Sequence, residues 1–200
     1  MELKTFVQKK LSLKNLALIL LASLGLAVPA AHSAPAGNPV VELKTSVGDL
    51  RVELDAERAP ATVANFLQYV DSGFYDGLQF HRVIAGFVAQ GGGYAADGSE
   101  RPTRATVRNE SVGGLGNARG TIAMARKPDP DSASAQFYFN LKDNDALNAK
   151  GDQPGYTVFG RVVRGEDVLD RIGATPTVNN GGAFAQQPRE PILIIQAKRI

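Results

Sequence analysis

The stretch Phe80-His-Arg-Val-Ile-Ala-Gly-Phe-Val-Ala-Gln-Gly-Gly92 sets two short apolar runs around Gly86. Read as strands over 79–84 and 86–90, the second places Val88 and Gln90 on one face and Phe87 and Ala89 on the other. Arg82 and Gln90 stand out within these runs, because a cation and an amide are costly to bury without partners. The chemistry alone leaves two readings open. Either Arg82 snorkels at a strand end while backbone satisfies Gln90, or the pair is kept for a function. His81, a lone histidine in an apolar strand, reads as a hydrogen-bonded core residue.

Outward from this segment, residues 40–46 and 50–54 alternate apolar and polar, with Val47-Gly48-Asp49 as turn chemistry between them, so the pair predicts a β-hairpin. Pro60 suits a first helical position, and Val63, Phe66, Leu67 and Val70 fall on one apolar stripe that Gly73 ends. Further strands are predicted over 121–125, 136–141, 156–163 and 191–198. A second helix is predicted over 166–172, with Val168, Leu169 and Ile172 inward. Strands do not alternate with helices, which argues against a doubly wound parallel sheet. The order predicts a mainly β fold, a closed antiparallel barrel with helices over its open ends. Phe137, Phe139 and Phe159 at inward positions predict a filled interior and argue against a lipocalin-like carrier. The long polar stretches 91–120, 126–135 and 175–190 are expected to be binding loops.

The 200 residues, 44% apolar and 21% charged, contain no Cys and only two His, His32 and His81. That excludes a disulfide framework, thiolate metal sites and a cysteine nucleophile. No Gly-x-Ser-x-Gly elbow accompanies His81, so a Ser-His-Asp hydrolase is unsupported. Asp129, Asp131, Asp143 and Asp145 lack the register of a calcium loop. Gly114-Leu-Gly116-Asn-Ala-Arg-Gly120 misses the dinucleotide fingerprint by one residue and precedes a strand rather than a helix.

The first 33 residues read as a cleaved secretory signal. Lys4, Lys9, Lys10 and Lys14 precede a 13-residue uncharged run from Leu16 to Val28, then Pro29 and small residues that set the cleavage boundary at 33–36. The run is shorter than the roughly 20 residues that span a bilayer, so no stable membrane association is expected after cleavage. Without the leader the chain holds 18 basic and 19 acidic residues, a balance that does not support nucleic-acid binding.

At residues 80–92 the sequence resembles the cyclophilins, with their Phe-His-Arg-x-Ile-x-Gly-Phe-x-x-Gln-Gly signature. Gly120-Thr-Ile-Ala-Met-Ala-Arg126, Ser134-Ala-Gln136-Phe-Tyr-Phe139 and Tyr156-Thr-Val-Phe-Gly-Arg-Val-Val-Arg-Gly165 agree in order and spacing, so the likeness covers about 39–200. It is greatest to the periplasmic cyclophilins of Gram-negative bacteria. The resemblance implies an eight-stranded barrel and peptidyl-prolyl cis–trans isomerase activity over 39–200, in the periplasm. Its partners would be proline-containing polypeptides and unfolded exported proteins.

By the same resemblance Arg82 is the central catalytic residue, with Gln90 on the substrate backbone and Phe87 in the proline pocket. Val88, Met124, Tyr138 and Leu147 would line that pocket. Ala125 and Arg126 would hold the peptide, with Gln136 and Tyr156 beside it. Arg126 stands for a common Asn, Tyr138 for a common Phe and Tyr156 for a common His. Ala146 stands where other members carry Trp or Phe, which implies weak cyclosporin binding. No metal or cofactor is implied, since isomerisation transfers no group. With no heptad or long apolar edge, a monomer is expected. The alternative is a holdase that binds Pro-containing segments without turnover.

Overall fold

The computed structural model describes residues 37–200; the leader expected over 1–33 lies outside the described residues. The chain runs through β1 (Val40–Thr45), β2 (Gly48–Leu54), α1 (Pro60–Asp71), β3 (Arg82–Ile84), β4 (Val88–Gly91) and β5 (Thr121–Met124). It continues through β6 (Phe137–Asn140), β7 (Val158–Arg164), α2 (Glu166–Gly173), β8 (Thr177–Val178), β9 (Gln187–Pro188) and β10 (Ile194–Arg199). Among the described residues no helix is long and apolar enough to cross a membrane.

Alternation builds the first hairpin. Val41, Leu43, Leu50, Val52 and Leu54 are fully buried on its inner face. On the outer face Glu42 sits in register with Arg51 and Lys198 and pairs with both, at 3.2 and 3.7 Å. Glu42 is itself buried, and opposite charges in register on both sides of it disfavour a one-residue slip. The turn is Ser46-Val47, one residue earlier than the sequence suggests. Gly48 already pairs with Thr45, at a φ of +132° that its lack of a Cβ permits.

Helix α1 begins at Pro60 as predicted, but Ala59 offers no capping side chain. Glu110, distant in sequence, supplies it: its carboxylate accepts from the Ala61 and Thr62 N–H groups at 3.1 and 2.9 Å and from the Thr62 hydroxyl at 2.8 Å. A negative charge against the first-turn N–H groups is the favourable arrangement. The apolar stripes of both helices bury into one core with Phe66, Phe80, Phe137, Phe139 and Phe159, so the interior is filled.

Eight strands form one antiparallel sheet in the order β10-β1-β2-β7-β5-β6-β4-β3. The predicted closed barrel is corrected here: β3 and β10 are edges, and the sheet is a half-barrel. The outer edge of β3 is already engaged, since Val83 N–H donates to Gln186 O at 2.8 Å. That carbonyl lies in 175–190, which is not plain loop but carries the short β8/β9 ladder. The segments ahead of each edge strand meet instead. Phe80 N–H donates to Ile192 O at 2.9 Å, and Ile194 N–H to Leu78 O at 2.8 Å. The other aspartates singled out in the sequence act as loop fasteners: Asp131 accepts from Asn109 N–H and Asp143 from Arg119 N–H.

Candidate active site

A row of register partners crosses the sheet from its β3 edge: Arg82, Gln90, Tyr138, Ala123 and Val158. Arg82 and Gln90 satisfy each other. Arg82 Nη1 donates to Gln90 Oε1 at 3.2 Å, and Gln90 Nε2 donates onward to Gln136 Oε1 at 3.0 Å. The glutamine is thus held by side chains, not backbone, and the half-buried guanidinium is aimed along the row. Gln136 itself lies over Gly93, where any Cβ would collide with its side chain.

Beside this pair lies a cavity of about 170 Å³. Its base is Val88 and Tyr138, both almost fully buried. Phe87, Leu147 and Tyr156 pack around them as a second apolar cluster, separate from the barrel core. Ala125 and Arg126 complete the lining with Arg82 and Gln90. Phe87 belongs to the turn between β3 and β4 rather than to a strand, so it joins Val88 instead of opposing it as strict alternation predicts. Burial pushes the Tyr138 hydroxyl far above the ordinary phenol range, which keeps it a neutral donor.

Arg126 is consumed locally. Its guanidinium donates to the carbonyls of Gly155, Lys127, Pro128 and Pro154 at 3.0 to 3.3 Å and stacks 4.6 Å from the Tyr156 ring centroid. It therefore fastens two loops where it borders the cavity. Met124 is a correction to the sequence reading. Its register partner is Phe137, and its side chain packs in the core, while Ala123 takes the cavity side of β5. Gln136 lines an adjoining cleft of about 240 Å³ with Glu100, Thr103, Thr106, Ser132 and Ser134. Those residues come from the two polar stretches 91–120 and 126–135, whose length is the only sequence signal for them. Ala146 is exposed and outside the cavity. Two larger hollows, of about 420 and 400 Å³, lie beside β2 and β7. Several of their charged side chains pair with one another, as Glu53 with Arg161 and Asp167 with Arg171.

Residues 40–199 match the sequence family described as cyclophilin type peptidyl-prolyl cis-trans isomerase/CLD. The chain belongs to the cyclophilin family of peptidyl-prolyl cis–trans isomerases. This cyclophilin is 47% identical over 160 residues to peptidyl-prolyl cis-trans isomerase A of Dickeya dadantii, across 80% of this chain and 84% of that one. It is 45% identical over 161 residues to a peptidyl-prolyl cis-trans isomerase of Acinetobacter baylyi, across 80% and 85%. A cyclophilin from Cryptosporidium parvum, solved in the presence of the dipeptide Ala-Pro, superposes with a TM-score of 0.66 at 26% identity, across 80% of this chain and 97% of that one.

His81, next to Arg82, is buried between the rings of Tyr94 and Phe184, and its Nδ1 finds no hydrogen-bond partner among the described residues. Burial first, and the neighbouring guanidinium second, hold its imidazole down at about 4; a backbone contact with Gln79 opposes them. An unfolded histidine titrates near 6.5. Between the two values the unfolded chain binds the extra proton, so folding stability contributed by neutral His81 is complete above about pH 6.5 and is lost as pH falls toward 4. The loss is expected to total about 3 kcal/mol. Urea unfolding at pH 7 and pH 4.5 should show it, and a His81→Gln variant should show a smaller difference. Equal pH dependence in both proteins would mean that His81 is not the group responsible.

Proposed function

We propose that Arg82, Gln90 and Phe87 carry the isomerisation in this cyclophilin, and that the chain works in the periplasm on proline-containing segments of exported proteins. The observation that supports it most is a fixed, half-buried guanidinium, held by Gln90 at 3.2 Å, on the rim of an apolar cavity of about 170 Å³.

The chemistry follows from the amide. An X–Pro bond crosses a barrier of ~18–20 kcal/mol because rotation breaks its resonance. In the twisted state the imide nitrogen is pyramidal and regains a lone pair. A donor aimed at that lone pair favours the twisted state over both planar ones, which is the requirement for catalysis. Arg82 offers a planar fork of cationic donors. Phe87, Val88, Tyr138, Leu147 and Tyr156 form an apolar seat for a proline ring and keep water from the planar dipole. Gln90 orients Arg82 through Oε1, and its own amide is oriented by Gln136. The reaction needs no nucleophile. Ala125 and Arg126, at the cavity wall, bound the path of the peptide, with Arg126 acting by fastening that wall.

The role in folding exported chains is supported by the sequence of residues 1–33. It is tested by producing the full chain in a Gram-negative host and fractionating the cells. The expected result is a periplasmic protein whose measured mass corresponds to a start between residues 34 and 37, and which speeds refolding of a proline-limited secreted substrate. A full-length mass in the cytoplasmic fraction would overturn the exported role and leave the isomerase assignment intact.

A further inference from the structure

We propose that Asn117 is a positioning residue for the proline pocket, one buried side chain that sets the spacing of its Tyr138, Leu147 and Phe87 walls. The proposal rests on the reading of the cavity as that pocket, and it adds a residue that the sequence pattern does not single out.

Asn117 is 1% exposed and lies where the loop 91–120 approaches β5. Every polar group it has is used. Its Oδ1 accepts from the Tyr138 hydroxyl at 2.7 Å and from Asn140 Nδ2 at 3.1 Å. Its backbone N–H and its Nδ2 both donate to Asn148 Oδ1, at 2.6 and 3.0 Å, and its carbonyl accepts from Asn144 N–H at 2.8 Å. Leu147 is seated between those last two partners, and its own N–H donates to Asn144 O at 2.9 Å. From Asn140 the chain of bonds continues. Asn140 Oδ1 accepts from Asn144 Nδ2 at 2.8 Å, and the same Nδ2 donates to Phe87 O at 2.9 Å. Asn140 also donates to Thr121 Oγ1 at 2.9 Å. Tyr138 is thus joined to Asn117 directly, Leu147 through Asn144, and Phe87 through Asn140 and Asn144.

The direction of the bonds is fixed. Phe87 O can only accept, so Asn144 turns its NH₂ there and to Asn140 Oδ1. Asn140 then presents its own NH₂ to Asn117, and the Asn117 atom facing it must be the oxygen, which leaves the Tyr138 hydroxyl to donate. That leaves its NH₂ toward Asn148 Oδ1, as observed. A network satisfied in only one arrangement specifies one arrangement of its neighbours. Stability alone asks for less, since an apolar wall packs without burying a hydroxyl and three amides that each need a partner. What the network adds is a defined separation between the walls. Catalysis is sensitive to that quantity, because a misplacement of about 1 Å can cost on the order of 10²-fold in rate.

The test is a double-mutant cycle on the folded enzyme, with cis–trans exchange of an Ala-Pro peptide measured by NMR per folded molecule. Asn117→Ala is expected to lower kcat/KM about tenfold and Tyr138→Phe about two- to threefold, with the combined variant no worse than Asn117→Ala alone, the non-additivity of residues acting as a unit. The Leu147 methyl resonances should shift in Asn117→Ala although Leu147 is untouched. Phe159→Leu, a core variant, controls for lost stability and should keep its activity per folded molecule. Additive losses, unshifted Leu147 methyls, or an equal loss in Phe159→Leu would overturn the proposal. If Arg82→Ala is unimpaired in the same assay, it is the underlying assignment of the pocket that fails instead.

Discussion

Replacing Arg82 with alanine is expected to slow catalysed exchange of an Ala-Pro peptide on the order of 10²–10³-fold, equivalent to ~3–4 kcal/mol of transition-state stabilisation. The magnitude is that of removing one preorganised donor from a site where charge or a lone pair develops. Here the donor is preorganised by Gln90, which takes one bond from Nη1, while no other hydrogen bond from the guanidinium is made among the described residues. Arg82 is a register partner of Gln90 on an edge strand, so the substitution should leave the sheet intact. Circular dichroism and the peptide-exchange spectra are to be compared for the same samples. Equal exchange rates in both proteins would make Arg82 structural and remove the proposed mechanism. Peptide binding by the wild type without any acceleration would instead favour the holdase. Lysine at this position keeps the charge but loses the fork, so Arg82→Lys should fall between the two.

The sequence made some of these features legible and hid others, for identifiable reasons. The first hairpin and both helices follow from local pattern: alternation in 40–54, and apolar stripes at helical spacing after Pro60 and Glu166. The row from Arg82 to Gln90 was readable because both are polar residues within apolar strands. The way in which they satisfy each other was not, because it depends on the register of β3 against β4. Whether the barrel closes is not legible in the sequence, since no local signal says that Val83 spends its N–H on Gln186 across a distant loop. Met124, which the resemblance assigns to the pocket wall, packs in the core instead, and the strand pattern offers no check, because an apolar residue on a strand buried on both faces carries no mark of which face it takes. Asn117 and Glu110 were invisible for a different reason. Each serves a partner far away in sequence, Tyr138 in one case and the first turn of α1 in the other, and long-range partners leave no periodicity. Polar residues in a long loop that end up buried are the general form of what local pattern cannot reveal.

The largest stability effect is expected one residue from the pocket. Phe137 and Tyr138 are neighbours in β6, yet alternation sends them to opposite faces: Phe137 to the barrel core and Tyr138 to the cavity. The Phe137 ring is fully buried and meets four others edge-on, Phe66 at 5.7 Å, Tyr75 at 5.4 Å, Phe80 at 6.2 Å and Phe139 at 5.7 Å between centroids. Phe137→Ala is expected to cost about 3–5 kcal/mol, the transfer loss together with the cavity left behind. The upper part of that range applies because the surroundings cannot easily collapse. Gly92, which abuts the ring, has no side chain to offer and is held at a φ of +83°, and the other neighbours are rings whose positions are set by their own contacts. Against a total stability of ordinary size, about 5–15 kcal/mol, this is roughly a fifth or more. Urea unfolding should show a lower midpoint, and Phe137→Leu should lose less than half as much because it keeps most of the volume. A loss under about 1 kcal/mol for Phe137→Ala would mean that the core repacks around the gap and that the interior is less rigidly filled than these ring contacts imply. The molecules that remain folded should still catalyse exchange, because the side chain removed lies on the face of β6 that no substrate reaches. Stability and catalysis are therefore expected to separate across a single peptide bond.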